Sequence, residues 1–208
     1  MTAKYLFFLL IKLYSLFFFK QLYYFDPKYV PSLLTVYSQD FYLRNYPSYE
    51  KILTTNNSKA LFKYFNTTGI KAGECASPAF DIKYYLEKNP NLKEKFGCNY
   101  TAVYNYFLTD GIYNTEEFSP IFNVEYYYKY NPDLRDILEN KREIYMDHFI
   151  KYGMEEGRKS SPYFSLDAYK LINLDLRSTL GYNNTEYFLH YITKGKNEGR
   201  LCNYNDVI

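Results

Sequence analysis

A period of 42 residues constrains this chain more than any other feature. Pro78, Pro120 and Pro162, each preceded by Ser, stand 42 positions apart, and Gly69, Gly111, Gly153 and Gly195 keep the same interval through four copies. A fixed period of this length means that one supersecondary unit is stacked several times, because a unit so short cannot bury its apolar face alone. Phe80, Phe122 and Phe164 follow the prolines in step, and Asn89-Pro90 and Asn131-Pro132 recur inside the units, with Tyr46-Pro47 and Asn173-Leu174 at the matching places. The first copy carries one extra residue: Pro47 to Gly69 spans 22 positions, against 21 from Pro90 to Gly111 and from Pro132 to Gly153. The expected units are 37–78, 79–120, 121–162 and 163–204 within a repeat domain of residues 37–208, with residues 25–36 as a linker.

Within a unit the punctuation predicts three short helices, so the expected fold is all-α: a tandem array of four units preceded by an N-terminal hydrophobic helix. Ser38, Asp81, Asn123 and Ser165 stand where a helix N-cap belongs. An aromatic residue precedes each cap (Tyr37, Phe80, Phe122, Phe164), and another takes the fourth helical position (Tyr42, Tyr85, Tyr127, Tyr169), the spacing of a hydrophobic staple. Asn-Pro should end the first helix and open the second, since the residue before proline avoids helical geometry and proline suits the first helical position. A third helix is expected through ALFKYF, AVYNYFL, IYMDHFI and EYFLHYI, with the periodic Gly as its left-handed stop. Polar links follow (IKAGECASP, IYNTEEFSP, MEEGRKSSP, KNEGRLCNY), and function could reside in them. With 28 Tyr, 17 Phe and no Trp, tyrosines must fill core sites; their hydroxyls predict rings at helix edges with the tips exposed.

The segment YLFFLLIKLYSLFFFKQLYY, Tyr5 to Tyr24, is 20 residues long. As a helix it would reach across a bilayer, about 30 Å. Lys12 and Lys20 interrupt it, and no Ala-x-Ala-like cleavage site precedes Phe25. Residues 1–24 read as a signal peptide or signal anchor, the plainer alternative being a buried or capping helix.

Little in the chain points to chemistry. The net charge is +2, with 25 Lys and Arg spread among 23 Asp and Glu, which disfavours nucleic acid as a partner. Cys75, Cys98 and Cys202 lack Cys-x-x-Cys or zinc-site spacing and suit packing or one disulfide, with all three pairings open. No metal or cofactor is expected. His148 and His190, the only histidines, share one repeat position that Tyr64 and Tyr106 occupy in the other copies, which suits a hydrogen bond rather than catalysis. A P-loop, a nucleophile elbow and an Asp-x-Asp are all lacking, so no catalytic residue is assigned. Sequons stand at Asn56, Asn66, Asn99 and Asn183. The last two immediately precede the third helix, where capping competes with a glycan, so Asn56 and Asn66 are the favoured acceptors.

The segments YYLEKNPNL, YYYKYNPDL, HFIKYGMEEGR and HYITKGKNEGR resemble short Tyr-rich repeats ending in a G-x-x-E-G-R-like turn, found beside glycosyltransferase domains and in surface proteins of bacteria and giant viruses. The resemblance spans roughly residues 37 to 204 and implies accessory modules rather than catalysts. Glu156 with Arg158, and Glu198 with Arg200, are the candidate binding residues. A guanidinium fork can clamp a carboxylate or phosphate, or it can tie the turn to the last carbonyls of a helix. Copies one and two lack the Arg. The function expected is a non-enzymatic interaction module for protein or glycan partners, secreted or membrane-anchored through residues 5–24, at a cell or virion surface. The alternative is an accessory or remnant module of a glycosyltransferase system.

Overall fold

The computed structural model describes residues 32–53, 58–138 and 141–204, and every regular element among them is helical. Residues 1–24 and Asn56 lie outside the described residues. A 3-10 turn, Leu33–Val36, leads into α1 (Gln39–Asn45), a 3-10 segment (Pro47–Leu53) and α2 (Ser58–Tyr64), which runs on as a π turn, Phe65–Gly69. Next come α3 (Ile82–Lys88), α4 (Pro90–Phe96) and α5 (Tyr100–Thr109) with the 3-10 turn Gly111–Tyr113. They are followed by α6 (Val124–Tyr130), α7 (Pro132–Leu138) and α8 (Arg142–His148) with the π turn Phe149–Gly153. The last stretch holds α9 (Leu166–Ile172), the 3-10 turn Leu174–Leu176, α10 (Arg177–Leu180), and α11 (Asn184–His190) with the π turn Tyr191–Gly195.

The local signals act as read. Ser38 accepts from the Phe41 N–H, Asp81 from Lys83 and Tyr84, Asn123 from Tyr126 and Ser165 from Ala168. The staple rings meet with centroids 5.9, 5.7, 5.4 and 5.4 Å apart in the four stretches. Each cap residue also donates its own N–H far along the chain: Ser38 to Ala76, Asp81 to Phe118, Asn123 to Ser160 and Ser165 to Cys202, at 2.7 to 3.3 Å. Each stretch is thereby stitched start to finish, and the first accommodates its extra residue inside the stitch. Asparagine contributes more than the helix break read from Asn-Pro. The side-chain amides of Asn89, Asn131 and Asn173 donate to the carbonyls of Tyr85, Tyr127 and Tyr169 at 2.8 to 3.0 Å, and also to those of Glu117, Lys159 and Leu201 at 2.9 Å. One amide thus satisfies a helix end and the closing link together.

Two expectations are corrected. Among the glycines with positive φ are Gly73, Gly157 and Gly199, four residues beyond the periodic ones; Gly69, Gly111, Gly153 and Gly195 are not among them. The periodic position excludes a side chain for another reason. A Cβ at Gly69, Gly111, Gly153 or Gly195 would stand 2.1 to 2.6 Å from the hydroxyl of Tyr42, Tyr85, Tyr127 or Tyr169. Nor do the tips of the core tyrosines reach water. Tyr42, Tyr85, Tyr104, Tyr127, Tyr145, Tyr169 and Tyr187 are fully buried. Tyr104 donates to the Glu74 carbonyl at 3.2 Å and Tyr187 to the Gly181 carbonyl at 3.1 Å, so internal acceptors replace solvent.

The chain also curls back on itself, where stacking of neighbours alone was expected. Arg44 forks onto Glu186 with bonds of 2.7 and 2.8 Å, the Lys196 ammonium sits 4.2 Å from the Tyr84 ring centroid, and α8 packs against both the Leu33–Val36 and the Gly111–Tyr113 turns. Among the described residues no helix is long and apolar enough to cross a membrane.

Candidate functional site

Beneath the staple tyrosines lie two kinds of polar cluster. The Glu74 carboxylate accepts from the hydroxyls of Tyr42 and, at 2.7 Å, Tyr49; Glu116 accepts from Tyr85 and, at 3.0 Å, Tyr106. In the later stretches the hydroxyls of Tyr127 and Tyr169 pair instead with Nδ1 of His148 and His190, at 2.9 and 2.8 Å. Counted from the periodic Gly, Glu74 and Glu116 stand where Arg158 and Arg200 stand, and Tyr64 and Tyr106 where the histidines stand. The two positions therefore change together. A guanidinium offers no acceptor, so where Arg replaces Glu the tyrosine needs a new partner, and an imidazole supplies it. Burial, reinforced by the nearby Arg158 charge, lowers the His148 pKa to about 3 despite Asp133, so the ring is neutral at ordinary pH. Burial shifts His190 in the same direction.

The two arginines act inside the chain. The Arg158 fork makes two 2.9 Å bonds to Asp133 and one of 3.2 Å to the Asn131 side chain, while its Nε bonds Glu156. Arg200 repeats this with Asp175 at 3.0 Å, Asn173 at 3.3 Å and Glu198 at 2.6 Å. Each clamps carboxylates of its own stretch, not helix carbonyls. Burial works against the Arg158 charge, but Asp133, Tyr127 and Glu156 outweigh it and raise its pKa; the hydrogen bonds from Arg200 hold Asp175 and Glu198 below the usual carboxylate range. The side chains are 3% exposed for Arg158 and 24% for Arg200, which separates their energetic weight. Arg158→Lys, which loses the planar fork in a buried setting, is expected to cost about 2 kcal/mol, and Arg200→Lys less than about 1 kcal/mol. Urea unfolding of both variants checks this, and equal losses would contradict it.

Asn99 and Asn183 cap α5 and α11, accepting from Ala102 and Glu186 at 3.2 Å, whereas Asn66 is exposed in the Phe65–Gly69 turn. No two of the three cysteines form a disulfide. The thiols of Cys75 and Cys202 contact backbone carbonyls at 3.3 to 3.4 Å, and burial pushes the Cys75 pKa up. Among the described residues no three His, Cys, Asp or Glu side chains come together as a metal-ion group.

Two of the clefts among the described residues are related. One, of about 250 Å3, is lined by Phe41, Cys75, Ser77, Pro78, Asp81 and Pro120; the other, of about 360 Å3, by Tyr126, Lys159, Ser161, Pro162, Ser165 and Tyr204. Each residue of the second set stands 84 positions after its counterpart, or 85 for Tyr126, beyond the extra residue of the first copy. The clefts are the same structural place. They differ in their walls: Ile192, Thr193 and Lys196 also line the first, while among the described residues every wall of the second comes from residues 126–204. The second cleft also gains Asp167 and exchanges Pro120 for the half-exposed Tyr204.

Neither a protein-family model, nor a curated protein, nor a solved structure matches this chain. The site is therefore read from geometry. Reading the polar links as functional pointed to residues 157–162, Asn203 and Tyr204 of the second cleft, but Tyr126 and Asp167 were not singled out. The signal lay in comparing positions two periods apart: Pro78, Pro120 and Pro162 give way to Tyr at 204, a departure from an otherwise regular column.

Proposed function

We propose that the chain is a four-unit helical array, 37–78, 79–120, 121–162 and 163–204, that serves as a non-enzymatic interaction module for a protein or glycan partner, exported or membrane-anchored through residues 1–24. The observation that carries this reading is the division of labour among its polar residues. His148, His190, Arg158 and Arg200 are all engaged by groups of their own unit, whereas the cleft between units three and four sets Tyr126 and Tyr204 beside Lys159, Asp167 and a run of serines. Tyrosine rings set among polar groups suit contact with a partner. The similarity of copies three and four to Tyr-rich surface repeats supports the same reading, and the exposed sequon at Asn66 suits a glycoprotein.

Intact mass and cell fractionation of the native protein test it together. The expected result is recovery in a membrane or extracellular fraction, with any added glycan mass removed by Asn66→Gln or Asn56→Gln. Recovery of an unprocessed, unmodified chain in the cytosol overturns the exported reading.

A further inference from the structure

We infer that Asn99 and Asn183 are acceptors of N-linked glycan, each carrying the sugar on its amide nitrogen while its carbonyl oxygen goes on capping the helix. This rests on the export reading, and it extends modification to two positions that helix capping was expected to exclude.

The exclusion fails because the two tasks use opposite ends of the amide. Capping uses Oδ1, which accepts from the Ala102 N–H at Asn99 and from the Glu186 N–H at Asn183, both at 3.2 Å. Glycosylation uses Nδ2. The nitrogen bonds to the anomeric carbon of an activated sugar, a lipid-linked glycosyl diphosphate; the bond from that carbon to the diphosphate oxygen breaks, and one amide proton is released to balance the departing diphosphate. The product keeps its carbonyl and one N–H, so the oxygen that serves the cap survives. Among the described residues Nδ2 of Asn99 and of Asn183 has no acceptor. Other asparagines of the fold are fully used: the amides of Asn89, Asn131 and Asn173 each donate twice, and Asn184, next to Asn183, donates to the Glu155 carbonyl at 2.8 Å while accepting from Lys170.

The fold also gives a sugar room. Gly97, Cys98 and Asn99 are all exposed, as are Gly181, Tyr182 and Asn183. Each run opens on a glycine at φ 57° that ends the preceding helix, and a Cβ added there would meet nothing within 4 Å. Both acceptors therefore stand on a short knuckle between two helices, and the Tyr182 ring beside the second is 84% exposed. The hydroxyl that completes a sequon is confined to the same two units. Two positions after the cap the four copies carry Lys59, Thr101, Glu143 and Thr185, and in unit three the cap itself is Lys141. Threonine is a poorer helix former than lysine or glutamate, so helix stability does not account for it in units two and four.

The test uses the full-length chain in a secreting, N-glycosylating host, once with its own N-terminus and once behind an added cleavable leader that makes entry independent of residues 1–24. An amidase that releases N-glycans converts each modified Asn to Asp, and peptide mass spectrometry of the leader-bearing chain should find that conversion at both Asn99 and Asn183. Little or no conversion at either overturns the inference, whatever happens at Asn56 and Asn66. Thr101→Val with Thr185→Val, a change nearly neutral in helix propensity, removes both sugars and keeps both caps. Its urea midpoint should not exceed that of the glycosylated protein; a higher midpoint would show that sugar and cap compete, which also overturns the inference. Asn99→Ala with Asn183→Ala loses caps and sugars together and should unfold at lower urea than the valine pair; equal midpoints would remove the capping half of the proposal and overturn it. Modification of the leader-bearing chain but not of the chain with its own N-terminus would sink the export reading and leave the acceptor assignment standing.

Discussion

Replacing Gly153 with alanine is expected to destabilise the protein by about 3 kcal/mol, the sum of overpacking and a weakened buried hydrogen bond. The new Cβ would stand 2.3 Å from the Tyr127 hydroxyl and 3.1 Å from a Phe149 ring carbon. Neither neighbour yields easily. Tyr127 is fully buried, its ring packs in the staple against Phe122 with centroids 5.4 Å apart, and its hydroxyl is held 2.9 Å from His148 Nδ1. Moving the ring breaks the staple, and moving the hydroxyl breaks the bond to His148. The cause is separable by a double-mutant cycle. If the clash is with the hydroxyl, Tyr127→Phe combined with Gly153→Ala should be less destabilised than the sum of the two, by about 1 kcal/mol or more. Strict additivity in urea unfolding would assign the cost to helix geometry instead.

Acidification from pH 6.5 to 5 should lower the stability of the native protein by about 2 kcal/mol through His148 alone. In the unfolded chain this histidine takes up a proton below its ordinary pKa of 6.5, whereas in the folded protein it does so only near pH 3. Between those values the unfolded state binds more protons, so stability falls as pH falls; above 6.5 the two states are alike and the effect vanishes. Arg158 and Asp133 are the charged groups that bear on the ring after burial itself. His190 adds a smaller change of the same sign, since it too is lowered but is more open to solvent. Asp147 acts in the opposite sense, because burial raises its pKa against the pull of Lys151, so it offsets part of the loss towards the acid end. The window from pH 6.5 to 5 lies above the lowered pKa values of Asp175 and Glu198, which keeps their folded-state titration out of it. His148→Gln, which keeps a neutral hydrogen-bonding group, should flatten the slope; equal slopes for the two proteins would refute the assignment.

The linked change of Tyr and Glu into His and Arg shows why a repeat position can vary without loss of the fold. Tyr42, Tyr85, Tyr127 and Tyr169 keep the same place, and the chain supplies either a carboxylate or an imidazole to each hydroxyl. The residue five positions after the periodic Gly decides which.

Much of the fold was legible because it is made by groups close together in the chain. Caps at Ser38, Asp81, Asn123 and Ser165, staples across four residues beyond them and helix starts at Pro90 and Pro132 depend on spacings of a few residues, and backbone sterics allow each signal essentially one meaning. The period of 42 likewise stands in the sequence. Tertiary structure decided which groups meet across long separations. Gly153 was read as a stop because Gly ends helices, yet it is required by a tyrosine 26 residues earlier. Arg158 was read from its turn, yet its partner is Asp133, 25 residues back. The curl that joins Arg44 to Glu186, 142 residues apart, also brings Ile192, Thr193 and Lys196 to the wall of a cleft otherwise built from residues 41–120. A side chain's type states what kind of partner it needs, and only the path of the chain through space determines which partner is within reach.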